Sequence, residues 1–118
     1  MAYDEGLAQL LRDDLGPRPG LTETRMFGGL CFLLDGHMLC GVYAEKNGGH
    51  AMYRVGKPRT EAALALPGTA PMALTGRPMG GVIDADGPAL EDGTRLRLLA
   101  LALENVASLP PRRPARLP

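Results

Sequence analysis

Apolar and polar positions along the chain follow two different periods, and the change of period marks out its elements. Between residues 2 and 15, Tyr3, Leu7, Leu10 and Leu11 recur at the i, i+4, i+7, i+8 spacing of one helical face. Gly16-Pro17 ends that helix, since glycine suits the cap and proline cannot continue the ladder. Residues 23–34 read as strand, interrupted at Gly28-Gly29, where a bulge, a sharp bend or a close backbone approach is expected. The apolar run from Leu30 to Leu34 predicts a strand covered on both faces. Asp35-Gly36 then supplies the positive φ angles of a two-residue type I′ turn, with His37 to Tyr43 as the return strand.

A second turn at Lys46-Asn47-Gly48-Gly49 leads to a third strand, His50 to Val55. Pro58 opens a short helical stretch that Pro67-Gly68 ends. Residues 70–87 hold short strands and turns, with β-branched Val82-Ile83 at the centre of the last strand. Asp92 is placed to cap a long helix over about 93–108, whose face is Leu96, Leu99, Ala100, Leu103, Val106 and Ala107. Leu98 and Leu101 fall on the opposite side. A helix apolar on two sides predicts a contact between two copies through Leu98 and Leu101, against the plainer reading that both are half-exposed. The sum is an α+β domain, an antiparallel sheet of about five strands flanked by N- and C-terminal helices. Residues 1–109 form it, and 110–118, with four prolines and three arginines, read as a flexible tail.

Composition narrows this picture. A chain of 118 residues suits one core, and 45% apolar with 22% charged residues is globular rather than disordered. Aromatics make up only 4%, so Leu, Val, Ala and Met must fill that core. Thirteen basic residues balance thirteen acidic ones, but three of the basic ones sit in the tail, which leaves residues 1–109 at −3. That sign argues against general nucleic-acid binding, which needs many Lys and Arg contacts to phosphate. No apolar stretch reaches the roughly 18 residues of a membrane span, and the acidic N-terminus lacks the pattern of a signal peptide. A cytoplasmic location without membrane contact is expected.

Chemistry-bearing residues are few. Cys31, His37, Cys40 and His50 are the soft-ligand candidates, but their spacing fits no zinc pattern, so neither a metal nor a cofactor is expected. In a hairpin centred between 35 and 36, paired residue numbers sum to 71, which sets Cys31 opposite Cys40. The two read either as small buried hydrophobes or as a redox-active thiol pair. The carboxylates at Asp13-Asp14, Asp84, Asp86 and Glu91-Asp92 fit helix ends, turns and a cap, and Ser108 has no nucleophile elbow around it. No catalytic residue is assigned, which weighs against an enzyme. Arg25, Arg54 and Arg77 each adjoin an apolar or glycine-rich strand segment. Brought together, they would hold an anion or an acidic partner; apart, they would form surface ion pairs with Glu23, Glu45 or Asp84.

The same segments carry a resemblance. Arg25-Met26-Phe27-Gly28-Gly29, Leu34-Asp35-Gly36-His37-Met38, Tyr53-Arg54-Val55 and Gly76-Arg77-Pro78-Met79, with a closing helix before Ser108-Leu109-Pro110, resemble the N-terminal domain of TfoX (also called Sxy), a regulator of natural competence. The likeness runs from about residue 3 to 110. It implies an antiparallel sheet flanked by helices, in a bacterial cytosolic protein without enzymatic activity. The leading expectation is thus a regulatory module, pictured as a homodimer, that contacts a protein partner through Arg25, Arg54 and Arg77. The alternative is a small-molecule or anion-binding domain with an enzymatic activity of its own; direct DNA binding comes third.

Overall fold

A computed structural model describes residues 3–26, 28–45, 48–74, 77–87 and 90–110, with backbone alone at 26, 44–45, 48, 73–74 and 77–79. Helix α1 (Glu5–Leu15) begins where the Asp4 carboxylate accepts from the amides of Gly6 and Leu7, at 2.8 and 3.3 Å. It ends at Gly16, whose amide still donates to the Arg12 carbonyl and whose positive φ then turns the chain out of the helix. Leu7, Ala8, Leu11 and Leu15 form the buried face; Leu10, expected among them, is 43% exposed.

Six strands follow: β1 (Leu21–Met26), β2 (Gly29–Leu34), β3 (His37–Glu45), β4 (Gly48–Arg54), β5 (Thr69–Leu74) and β6 (Arg77–Asp86). They form one sheet in the order β1-β2-β3-β4-β6-β5, every neighbouring pair antiparallel. The architecture is α+β, as the hydrophobic pattern predicts, with one strand more than expected. The extra strand comes from Gly28-Gly29, where the chain folds back into a hairpin and Met26 pairs with Gly29. Gly28 takes φ 72°, and a Cβ on Gly29 would overlap the Val42 carbonyl oxygen. The sharp bend and the close approach expected there are both present. Phe27 lies outside the described residues.

The Asp35-Gly36 turn has φ of 52° and 84° at its two residues, as a type I′ turn requires. Its register then changes. Leu33 pairs with Met38, but Phe32 pairs with Cys40, so Leu39 is an extra residue on β3. Cys31 consequently faces Gly41 and not Cys40, which corrects the pairing deduced from the turn alone.

Between β4 and β5 a 3-10 turn (Lys57–Arg59) runs into the short helix α2 (Thr60–Leu64). Gly81 holds this connection in place: its carbonyl accepts from the amides of Val55 and Gly56, at 2.9 and 3.0 Å. Helix α3 (Asp92–Ala107) closes the domain, its cap being Glu91 and not Asp92. No helix among the described residues is long and apolar enough to cross a membrane.

All three helices pack on one face of the sheet. Leu7, Leu11, Ala63, Leu98, Leu101 and Val106 meet Leu30, Phe32, Val42, Tyr53 and Ile83 in a single core. Leu98 and Leu101, expected at a contact between copies, are 0% and 3% exposed inside this core, while Leu96 is 49% exposed. The helix is rotated from the expected setting, and burial within one chain accounts for both leucines. A smaller core of Cys31, Met52, Met72 and Val82 lies on the other face, with Leu33, Met38 and Tyr43 packed against it.

One ion pair ties the first helix to the last. The Arg95 guanidinium donates to both Asp14 oxygens, at 2.5 and 3.1 Å, and to Asp92 at 2.7 Å. The Arg95 and Asp14 side chains are only 8% and 10% exposed, and these carboxylates raise the Arg95 pKa further. Arg95→Leu should lower unfolding free energy by about 3–5 kcal/mol, because Asp14 is left charged and buried. The double change Asp14→Leu/Arg95→Leu should cost less than Arg95→Leu alone; strictly additive losses in denaturant titrations would refute the coupling. Nearby, the buried Tyr53 hydroxyl meets no hydrogen-bond partner among the described residues. Tyr53→Phe should therefore leave stability unchanged or raise it by about 1 kcal/mol, measured in the same titrations.

Candidate functional site

Side chains alternate across each strand, so the register assigns every strand residue to the helix-covered face or to the opposite one. Arg25 pairs with Leu30, whose side chain belongs to the main core, so Arg25 lies on the helix-covered face and is exposed there. Arg54 pairs with Val82, which belongs to the smaller core, so Arg54 lies on the opposite face, half-buried. Three strand spacings, about 14 Å, separate β1 from β4. The backbone of Arg77 pairs with Leu74 at the β5–β6 turn. Its side chain, like those of Met26, Pro78 and Met79, lies outside the described residues. Arg25 and Arg54 therefore do not converge on one ligand. Neither makes an ion pair among the described residues, and Glu23 instead takes a two-pronged bond from Arg12, at 2.9 and 3.1 Å.

A different group does converge. Tyr43 on β3 and His50 on β4 are cross-strand partners, with ring centroids 5.5 Å apart. Asp84 on β6 accepts a hydrogen bond from the Tyr43 hydroxyl on Oδ1. Its two carboxylate oxygens lie 3.0 and 3.2 Å from His50 Nδ1. All three are half-buried on the face away from the helices; the His50 and Asp84 side chains are each 18% exposed. With Nδ1–H donating to the carboxylate, the imidazole presents Nε2 as an acceptor. Nε2 has no partner among the described residues. The arrangement can take a proton from a bound group or accept a hydrogen bond from one.

Sequence reasoning names His50 only as a soft-ligand candidate and assigns Asp84 to a turn. One half of the group joins consecutive strands: Tyr43 and His50 pair in a register whose residue numbers sum to 93, where the turn expected over 46–49 gives 95 and sets Tyr43 against Met52, because Gly48 and Gly49 already belong to β4. The other half depends on β6 pairing with β4, a contact that no local pattern announces. The second histidine, His37, lies elsewhere, with Nε2 at 2.6 Å from the Pro110 carbonyl oxygen. No group of three or more His, Cys, Asp or Glu side chains able to hold a metal occurs among the described residues.

The two cysteines are on opposite faces, Cys40 in the main core and Cys31 in the smaller one. Both are free and fully buried. Burial pushes the Cys31 thiol up to about 11 and raises that of Cys40 as well. The chain has no match among family models, curated proteins or solved structures.

The buried thiols give a measurable expectation. At pH 8 neither should react with a thiol-specific chromogenic reagent while the protein is native, and both should react in denaturant. The folded state keeps the Cys31 proton from the ordinary value of 9.0 up to about 11. Its contribution to stability is therefore complete below that ordinary value and is lost as pH rises toward the folded one. Rapid labelling of native protein at pH 8 would contradict the burial.

Proposed function

We propose that this chain is a non-enzymatic regulatory module that contacts a protein partner, in the manner its resemblance to the TfoX N-terminal domain implies, in the bacterial cytosol. The contact surface is the sheet face opposite the helices, centred on Tyr43, His50 and Asp84. The observation that supports this reading is the convergence of three polar side chains from three strands on that face. The hydrogen bonds among them hold the group in place, and a fixed polar group on the same sheet face as the partly buried Leu33 and Met38 suits recognition of a protein surface. Arg54, on the same face, adds positive charge for an acidic partner.

A second reading has its own observation. A carboxylate that orients a histidine is also an acid–base device, so His50 and Asp84 suit a small-molecule site with a proton-transfer step. Direct DNA binding finds no support in the balanced charge.

The two readings separate in one set of experiments. A partner captured from lysate by wild-type protein, then purified, should bind His50→Ala and Asp84→Ala at least roughly tenfold more weakly in calorimetry, with Arg25→Ala unchanged. Equal affinity for all three variants would sink the surface assignment. In a thermal-shift screen of anionic metabolites, a compound that raises the melting temperature of wild type but not of His50→Ala would favour the small-molecule reading instead.

A further inference from the structure

The two edges of the sheet differ. β5 carries Pro71, which has no amide hydrogen to offer a neighbouring strand. β1 is six regular residues, Leu-Thr-Glu-Thr-Arg-Met, and its outer edge has no strand beside it among the described residues. Its parity is set by the pairing with β2. Glu23 and Arg25 lie on the helix-covered face, opposite Phe32 and Leu30, while Thr22 and Thr24 lie on the other, opposite Leu33 and Cys31.

We propose that β1 is the homodimer interface, pairing antiparallel with β1 of a second copy about a two-fold axis through Thr24. This register sets Glu23 against Arg25 of the other copy twice, once on each side of the axis, with Thr24 against Thr24 between them. The choice of occupant rests on charge complementarity within the strand. Two-fold pairings that keep the helices of both copies on one face must centre on a residue. Centring on Glu23 or on Arg25 sets like charges directly opposite, which destabilises a strand pair. Centring on Thr24 sets opposite charges together.

The main chain agrees with this register. The Asp35 amide donates to the Gly20 carbonyl at 3.0 Å, one step beyond the Leu21–Leu34 pair in the same register, so the Gly20–Asp35 pair is bonded and bonded pairs recur at every second residue. Met26, Thr24 and Thr22 therefore turn their peptide groups toward β2. Leu21, Glu23 and Arg25 turn theirs outward, where Glu23 and Arg25 of two copies can exchange both bonds. The side chains are prepared as well. Arg12 holds the Glu23 carboxylate in place and lowers its pKa, and a carboxylate has lone pairs for a further guanidinium. Arg25 is exposed and unpaired among the described residues. This interface replaces the one expected at Leu98 and Leu101.

Charge exchange tests it. Glu23→Arg has two arginines at these positions and Arg25→Glu has two glutamates, so each variant meets itself with like charges. In sedimentation velocity the wild type should form a dimer that weakens with added salt, and each variant alone should dissociate at least roughly tenfold more readily. An equimolar mixture of the two variants should recover the dimer, because both arginines of the first variant then face both glutamates of the second in the heterodimer. Native circular dichroism of each variant checks its fold, and recovery in the mixture cannot come from a misfolded chain. A wild type that stays monomeric at millimolar concentration would overturn the proposal. So would a dimer that survives in both variants, or variants that fail to recover on mixing.

Discussion

A single extra residue on β3 decides which way much of the sheet faces. Leu39 and Cys40 both stand against Phe32, and both side chains go to the helix-covered core. From that point the alternation of β3 is shifted by one. Val42 points into the main core, and Gly41 and Tyr43 point away from it. Without the bulge the turn at Asp35-Gly36 would send Tyr43 toward the helices and Cys40 away from them. The Tyr43–His50–Asp84 group and the separation of the two thiols are thus two results of one irregularity. The cost of leaving the ladder for one residue is offset by burying Leu39 completely.

This explains where sequence reasoning succeeds and where it stops. Turns are local, and Asp35-Gly36 is legible because few residue pairs adopt two positive φ angles in succession. The α1 stop at Gly16-Pro17 and the helical turn at Pro58 are legible because glycine takes a positive φ without strain and proline fixes its own φ. A bulge formed by leucine has no such mark, so the register beyond it is not. Gly28-Gly29 shows the intermediate case. The residues announce a sharp backbone feature without saying that the chain reverses there. For α3 the pattern is ambiguous because leucines surround the helix, and only the packing partners decide which face is buried. Arg95 makes the point sharply: a charged residue sits in the buried stripe because Asp14 on α1 meets it.

The candidate site was less legible than the fold. The three arginines share a sequence context, each beside an apolar or glycine-rich strand segment, but context does not determine parity. Arg25 and Arg54 fall on opposite faces because β1 and β4 enter the sheet with opposite settings. Tyr43 and His50 could be paired by counting only from the right turn centre, as they lie on consecutive strands. Asp84 could not, because β6 inserts between β4 and β5 after a crossing connection. Sites assembled across such a connection depend on the one strand neighbour that is not a sequence neighbour.

The unlike edges of the sheet carry a consequence for how large an assembly this chain can make. An open sheet with two competent edges polymerises, since each added copy exposes a fresh one. Here proline withdraws a donor from the β5 edge. In the proposed dimer, pairing about a two-fold axis would consume the regular edge that remains, and growth would stop at two. On that proposal the strand that takes a neighbour would also limit the count, and the asymmetry of the two edges would guard against fibre formation.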